Sequence, residues 1–385
     1  MGVGFHDDVD LIPDKRTVSS RIDSESKDSS RRAKMLQQRC MDSVAKMRET
    51  FKNSRPILQH RISQLEIGET LGRGGFGEVH SLRSISSEDG EHETFTSMAL
   101  KQIRGSLYGA QRLQAQADLA KEAEFLRALS THPNIITLHS TGIIGSPDFF
   151  LVMDKLEKTF EDMIYKEWKP LYEQRDVNTG EMKLSKREIK KENTRNLMIS
   201  QIKLLIEVCS AYSFLHDNLV LFRDVKPENV GIDFDGVAKV FDFGLARELK
   251  EEEQVSKDEY KLTPQTGSRV YMAPEVFTSQ PYGLPYDVYS FSIMFWETLT
   301  METPYSNLTK AQHANFAMLN SRRPPIDPKW PKNIQQLLTS GWSRDPSKRP
   351  TMKVFQEKLR DILSSLEAPP QSKRGFFRRP SSRNV

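Results

Sequence analysis

The hydrophobic period of this chain changes part way along, and that change limits its fold more than any other feature. From Leu65 to Ile103 the segments LEIGETL, GEVHSLR and FTSMALKQI alternate apolar with polar residues, the period of half-buried strands. The polar stretch SISSEDGEHE separates the second from the third, so an antiparallel meander is expected. DLAKEAEFLRALS then reads as a helix with Leu119, Phe125, Leu126 and Leu129 toward one side, and HPNIITLHSTG and DFFLVMD return to short strands. Beyond them helices dominate. Leu197, Gln201, Leu204, Val208, Tyr212 and Leu215 recur at steps of three and four, and YDVYSFSIMFWETL and NIQQLLTSGW follow. Strands first and helices afterwards predict an α+β chain in two lobes: a small antiparallel sheet with one main helix, then a larger, mainly helical part.

The ends and one internal stretch depart from this pattern. Residues 1–60 form a polar tail whose one helical candidate, AKMLQQRCMDSVAKMRETF, is a candidate docking helix. The first lobe covers 61–153 and the second 154–366, with a charged insertion at 166–193 read as a solvated excursion. Residues 367–385 form a basic tail. From Lys373 onward it carries Lys373, Arg374, Arg378, Arg379 and Arg383 and no acid, so the net charge of +4 belongs to the tail and the body is close to neutral. A neutral body lacks the basic face of a nucleic-acid binder. Cys40 and Cys209 stand far apart in no metal-ligand spacing, which fits a reducing compartment, cytoplasmic or nuclear. No transmembrane segment and no secretory leader are expected.

Three stretches carry chemistry. LGRGGFGEV sets Gly72, Gly74 and Gly77 in a G-x-G-x-x-G pattern, which lets backbone N–H groups approach phosphate oxygens. A dinucleotide-binding turn would open a helix inside a βαβ unit, whereas strand-like EVHSLR follows here, so a glycine-rich hairpin over a nucleotide fits better. MALK ends in Lys101, a lysine in an apolar strand that needs an anion. Glu122 on the following helix is the first candidate partner, and Glu124 would point elsewhere. LVLFRDVKPENVGIDFDGVAKVFDFGLA then supplies Asp224, Lys226, Asn229 and Asp242, the carboxylates, amide and cation that phosphoryl transfer requires.

With these residues in order, the chain from about Leu65 to Leu366 resembles a eukaryotic protein kinase: GRGGFGEV, MALK, FRDVKPEN, DFG, MAPE and RDPSKRP appear in family sequence. The resemblance implies the bilobal protein-kinase-like fold with ATP and Mg²⁺ as its reactant and metal. It assigns Lys101 to the α- and β-phosphates and Glu122 to its ion pair. Asp224 becomes the catalytic base, Lys226 the cation at the γ-phosphate, and Asn229 and Asp242 the metal ligands. Leu71, Gly72, Gly74 and Gly77 would cover the nucleotide, with Val79 and Ala99 as the roof of the adenine site. Met153 would be the gatekeeper, and Asp154, Lys155 and Leu156 the hinge. Asp287 should anchor the catalytic loop, and Glu275 should pair with Arg349. DVKPEN and TGSRVYMAPE, the latter with Ser268 placed to bond base and lysine, resemble Ser/Thr kinases. DVYSFSIMFWE and GWSRDPSKRPTM resemble the tyrosine-kinase-like group.

Two residues depart from the family pattern. Phe222 stands where histidine is usual, in a column with Leu126, Leu138 and Phe243. Gly231 stands where a leucine or similar side chain floors the adenine site, and Ile232 or the nucleotide's own ring are the candidates to fill the gap. Arg223 precedes the base, an arrangement that commonly reads an activation-loop phosphate. Thr263 and Thr266 are the candidate targets of an upstream kinase. The expected partners are ATP and protein serine or threonine hydroxyls, in signalling. The alternative is a pseudokinase scaffold, against which the complete set of reactive residues argues.

Overall fold

The computed structural model describes residues 57–87, 91–129, 131–143, 146, 148–174 and 186–368. The tail helix candidate at 33–51 and the basic tail from 373 onward lie outside the described residues. The chain divides into two compact units. One comprises residues up to Phe160 together with Glu228–Glu248, and the other comprises Glu161–Pro227 and Leu249 onward. The sequence reading cut the chain once, between 153 and 154.

The first unit is built on a seven-stranded sheet. Its strands are β1 (Leu58–Gln59), β2 (Leu65–Arg73), β3 (Gly77–Ser86), β4 (His92–Thr94), β5 (Met98–Ile103), β6 (Leu138–Thr141) and β7 (Phe150–Asp154). The order is β1-β6-β7-β5-β3-β2, with β4 on β3. All pairs are antiparallel except β1 with β6. β4 overlaps the end of the polar stretch SISSEDGEHE, where Ser86 pairs with His92.

Side-chain alternation decides what each face does. Leu82, Leu100, Phe150 and Val152 form one buried cluster, with Ile62, Leu65, Ile67, Ile85, Phe95 and Met98 against it. The opposite parity of β5 carries Ala99 and Lys101, whose partners across the ladder are Met153 and Leu151. Helix α1 (Gly109–Leu129) buries Leu119, Ala123, Leu126 and Leu129, and also Glu122. It begins nine residues earlier than the segment read as helix, because GAQRLQAQA has strong helix formers and no apolar stripe to announce them. The same unit holds a smaller sheet in the order β10-β9-β8, made of β8 (Lys158–Thr159), β9 (Val230–Ile232) and β10 (Ala238–Val240). Its turn is fixed by Asp233, whose Oδ1 accepts the N–H groups of Asp235 and Val237, and by Gly236 at φ +81°.

The second unit is mainly helical. Its long helix α2 (Lys186–Asp217) buries Met198, Ile202, Leu205, Val208, Cys209, Tyr212 and Leu215. That stripe sits about one residue round from the one the spacing suggested, since Leu197 and Leu204 are half-buried. Glu192–Asp217 is long and apolar enough to cross a membrane by length and composition alone. Within this unit, however, its apolar side is covered, and Gln201 Nε2 donates to Thr298 O at 2.6 Å. Helix α3 (Pro285–Thr300) is buried from Tyr286 to Leu299, the pattern of a core helix. Its hydroxyls at Ser290, Ser292 and Thr298 bond the carbonyls one turn back. Helices α4 (Lys332–Gly341) and α5 (Met352–Glu367) complete the core, α5 being capped by Thr351, whose Oγ1 accepts the Val354 N–H. In the stretch read as a solvated excursion, residues 166–174 are helical with Trp168 buried, and α2 starts within its last residues.

Candidate active site

In the first unit the glycine stretch forms the β2–β3 hairpin. Arg73 pairs with Glu78, and Gly74 N–H donates to Gly77 O at 2.8 Å. Gly77 is the hairpin glycine at which a side chain would be most crowded. A Cβ there would stand 3.2 Å from Gln102 O and 3.8 Å from Lys101 Cε, so β3 approaches β5 closely over the lysine. Leu71 is exposed, Val79 half-buried, and Ala99 and Met153 buried.

Lys101 has the anions that its place in an apolar strand demands. Its Nζ lies 2.8 and 2.7 Å from the two carboxylate oxygens of Glu122 and 3.0 Å from Asp242 Oδ1. Burial by itself would lower the Lys101 pKa, but the two carboxylates outweigh it and hold the pKa above its ordinary value, so the group is a fixed cation. Glu124 bonds Arg127 instead, at 2.8 Å.

Asp242 sits at φ 67°, in the left-handed region that a non-glycine residue occupies at a cost. Its side chain remains 46% exposed while that of Glu122 is 3% exposed, so of the two carboxylates on Lys101 only Asp242 also faces outward. Phe243, next in the chain, is fully buried and tilted against Phe125 of α1, with ring centroids 6.2 Å apart. Asn229 is buried and joined to the same segment by Phe241 N–H donating to Asn229 O at 3.1 Å. At the end of β7, burial tends to raise the Asp154 carboxyl. Hydrogen bonds from His139 (2.7 Å) and the Thr137 N–H (2.9 Å) outweigh this and hold it below the ordinary carboxylate range.

The second unit carries Asp224 and Lys226. Lys226 Nζ lies 2.8 Å from Asp224 Oδ2 and donates to Ser268 Oγ at 2.9 Å. Asp224 Oδ1 accepts the Ser268 backbone N–H at 2.8 Å. Ser268 therefore meets the lysine through its hydroxyl and the aspartate through its backbone.

The loop around Asp224 hangs on Asp287, a side chain with no solvent exposure. Its Oδ2 accepts Phe222 N–H at 2.8 Å, its Oδ1 accepts Arg223 N–H at 2.9 Å, and His216 Nε2 lies 3.1 Å from Oδ2. Arg223 is thereby held at φ 70°. The Phe222 side chain is fully buried against Tyr212, with centroids 5.3 Å apart. The loop is thus anchored to Asp287 through the backbone N–H of residue 222, while the phenyl ring packs in the core.

The sequence reading passed over two tyrosines that hold the segment around Thr263 and Thr266. Tyr282 Oη donates to Thr263 O at 2.6 Å and lies 3.4 Å from Arg223 Nη1, while Tyr286 Oη donates to Thr266 O at 2.8 Å. Tyr260 and Tyr282 also exchange backbone hydrogen bonds. Only the grouping of tyrosines in QPYGLPYDVY hinted at this, since hydroxyl-to-carbonyl bonds have no sequence period.

The sequence model of the family described as "Protein kinase domain" matches residues 65–359. The chain is similar to the serine/threonine-protein kinase STY17 of Arabidopsis thaliana, 35% identical over 164 residues, which are 43% of this chain and 28% of that protein. It is also similar to the dual specificity protein kinase shkB of Dictyostelium discoideum, 38% identical over 165 residues, 42% of this chain and 24% of that one. With the serine/threonine-protein kinase TNNI3K of Homo sapiens it shares 28% identity over 311 residues, 80% of this chain and 32% of that one. The chain thus corresponds to between 24% and 32% of the length of these relatives.

Proposed function

The chain belongs to the protein kinase family, and on that premise we propose that it transfers the γ-phosphoryl group of ATP to serine and threonine hydroxyls of protein substrates. The observation that carries the reading is Lys101, a largely buried cation held by Glu122 and Asp242 at 2.7 and 3.0 Å. A scaffold has no need to keep a cation against a carboxylate as deeply buried as Glu122.

In this reading Lys101 binds the α- and β-phosphates, and Met153 to Leu156 with Val79 and Ala99 receive the adenine. Asp224 takes the proton of the attacking hydroxyl as its oxygen bonds to the γ-phosphorus and the bond to the β-phosphate oxygen breaks, releasing ADP. Lys226 offsets the charge that develops on the transferred group. Mg²⁺ suits the donors at Asp242 and Asn229, a half-exposed carboxylate and an amide, both hard oxygen ligands. When bound, the ion neutralises phosphate charge. A reducing compartment, cytosol or nucleus, belongs to the same proposal, motivated by two cysteines that stand far apart in the sequence.

Regulation by an upstream kinase is the second part of the proposal. Thr263 is exposed, whereas Thr266 is half-buried and its hydroxyl donates to Thr263 O at 3.0 Å, which favours Thr263 as the modified residue. A phosphate there adds charge beside Arg223, whose guanidinium already reaches Tyr282.

The test is incubation of the purified protein with Mg-ATP and a degenerate peptide library, with phosphate located by mass spectrometry and Asp242→Asn as control. Phosphoserine and phosphothreonine from the wild type alone are expected. Phosphotyrosine in addition would widen the class toward the dual specificity named for shkB. Equal incorporation by both proteins, or none by either, would overturn the reading.

A further inference from the structure

Gly231, at the position where the family pattern expects a side chain beneath the base, lies in β9 between Thr159 and Lys239 of the neighbouring strands. Its φ lies outside the left-handed region, so the backbone itself accepts a side chain. The neighbour does not. A Cβ built at 231 would run into Leu156 Cδ1 and stand 2.9 Å from Leu156 Cγ and 3.2 Å from Leu156 Cβ. All three nearest atoms belong to one side chain, so Leu156 occupies the volume that any residue larger than glycine would need.

The backbone fixes that placement. Lys155 N–H donates to Ser97 O at 2.7 Å and Glu157 N–H donates to Ile232 O at 2.8 Å, so residue 156 is held between two anchors. Val230 and Ile232, on either side of Gly231, are fully buried, whereas Leu156 is only half-buried. Filling the gap over Gly231 leaves part of its surface still available. Neither Ile232 nor the nucleotide ring is needed to fill the gap.

We propose that Leu156 supplies the apolar floor for the nucleotide base, in place of the side chain that β9 lacks. Leu156 and Gly231 then form an exchanged pair in which the hinge carries the leucine and the strand carries the glycine. The proposal rests on the ATP-dependent reading above. It makes residue 156 the position that sets base affinity, beyond any backbone role at the hinge.

The experiment is a titration of the full chain with a fluorescent ATP analogue, without turnover, on the wild type, Leu156→Gly, Gly231→Leu and the double variant, with melting temperatures of the unliganded proteins in parallel. Leu156→Ala and Gly231→Ala serve as milder changes should the larger ones not fold. Leu156→Gly should weaken binding roughly tenfold or more, the worth of one leucine side chain of apolar contact. Gly231→Leu should weaken binding by displacing Leu156, and the double variant should regain affinity to within about threefold of wild type. Unchanged dissociation constants in the single variants would overturn the proposal, even if their melting temperatures fell and the double variant recovered, because Leu156 would then only fill a gap. A double variant no better than its worse parent in binding would overturn it too. A wild type that binds no nucleotide would instead remove the kinase reading and this proposal with it.

Discussion

Arg349 grips Glu275 with both prongs of its guanidinium, Nη1 at 2.6 Å from Oε1 and Nη2 at 2.9 Å from Oε2. The Arg349 side chain has no solvent exposure, its Nε donates to Ser343 O, and its face lies 5.1 Å from the Tyr289 ring. Removing one partner of such a pair leaves the other charge buried and alone, which costs about 3–5 kcal/mol. Arg349→Met should therefore lower the stability of the helical unit by about that amount in urea unfolding. Arg349→Lys should recover little, since an ammonium cannot meet two oxygens in one plane. An unchanged midpoint in Arg349→Met would show that Glu275 finds another partner.

The second prediction concerns Lys101. Replacing it by methionine removes the cation shared by Glu122 and Asp242 and leaves Glu122 almost wholly buried. Peptide phosphorylation should fall by about 100-fold or more, the scale of losing one preorganised charge from a phosphoryl-transfer site. Glu122→Gln keeps the lysine but releases one of its two carboxylate holds, and should give a smaller loss. Turnover of Lys101→Met within about tenfold of wild type would take Lys101 out of the proposed chemistry.

Phe222→His tests the first departure from the family pattern. A lost or gained hydrogen bond is worth about 0.5–1.5 kcal/mol, and burying the phenyl ring about 1.5–3 kcal/mol. The loop itself is held by Asp287 through the backbone N–H groups of residues 222 and 223, which the substitution leaves in place. Turnover should stay within about tenfold of the native protein, in either direction. A rise of several orders of magnitude would mean that the phenylalanine disables the native site.

Much of this was legible in the sequence, because local pattern and reactive residues coincide. The glycine hairpin follows from a strand on each side of three glycines, and the Lys101–Glu122 pair follows from a cation that an apolar strand cannot leave unpaired. What stayed hidden depends on register or on long-range bonds. Glu228–Glu248 joins the sheet-bearing unit partly through Val240 N–H to Asn134 O and Asn134 Nδ2 to Ala238 O, links across about a hundred residues that no period records. Leu156 over Gly231 requires knowing that Glu157 N–H meets Ile232 O. Trp168 lies in a stretch whose charge suggested solvent, yet it is buried together with Ile164 of the preceding turn, outside that stretch.

The last prediction is a pH dependence of stability carried by His313. Its ring packs at a tilt against Tyr305 with centroids 4.6 Å apart, and its Nε2 has no hydrogen-bond partner among the described residues. Burial, with the positive charge of Arg269 nearby, pushes its pKa down to about 4. The unfolded chain takes up a proton at this histidine as pH falls through about 6.5, whereas the folded chain does so only near the lowered value. Across that window the unfolded state binds more protons. The contribution is thus complete above about pH 6.5 and is progressively lost on acidification. Melting temperatures should fall from about pH 7 to about pH 5, and the fall should be shallower in His313→Phe, which keeps the ring against Tyr305 without a titrating nitrogen. Identical slopes for the two proteins would show that His313 takes up its proton equally well in the folded state, and the acid sensitivity would then belong to other groups.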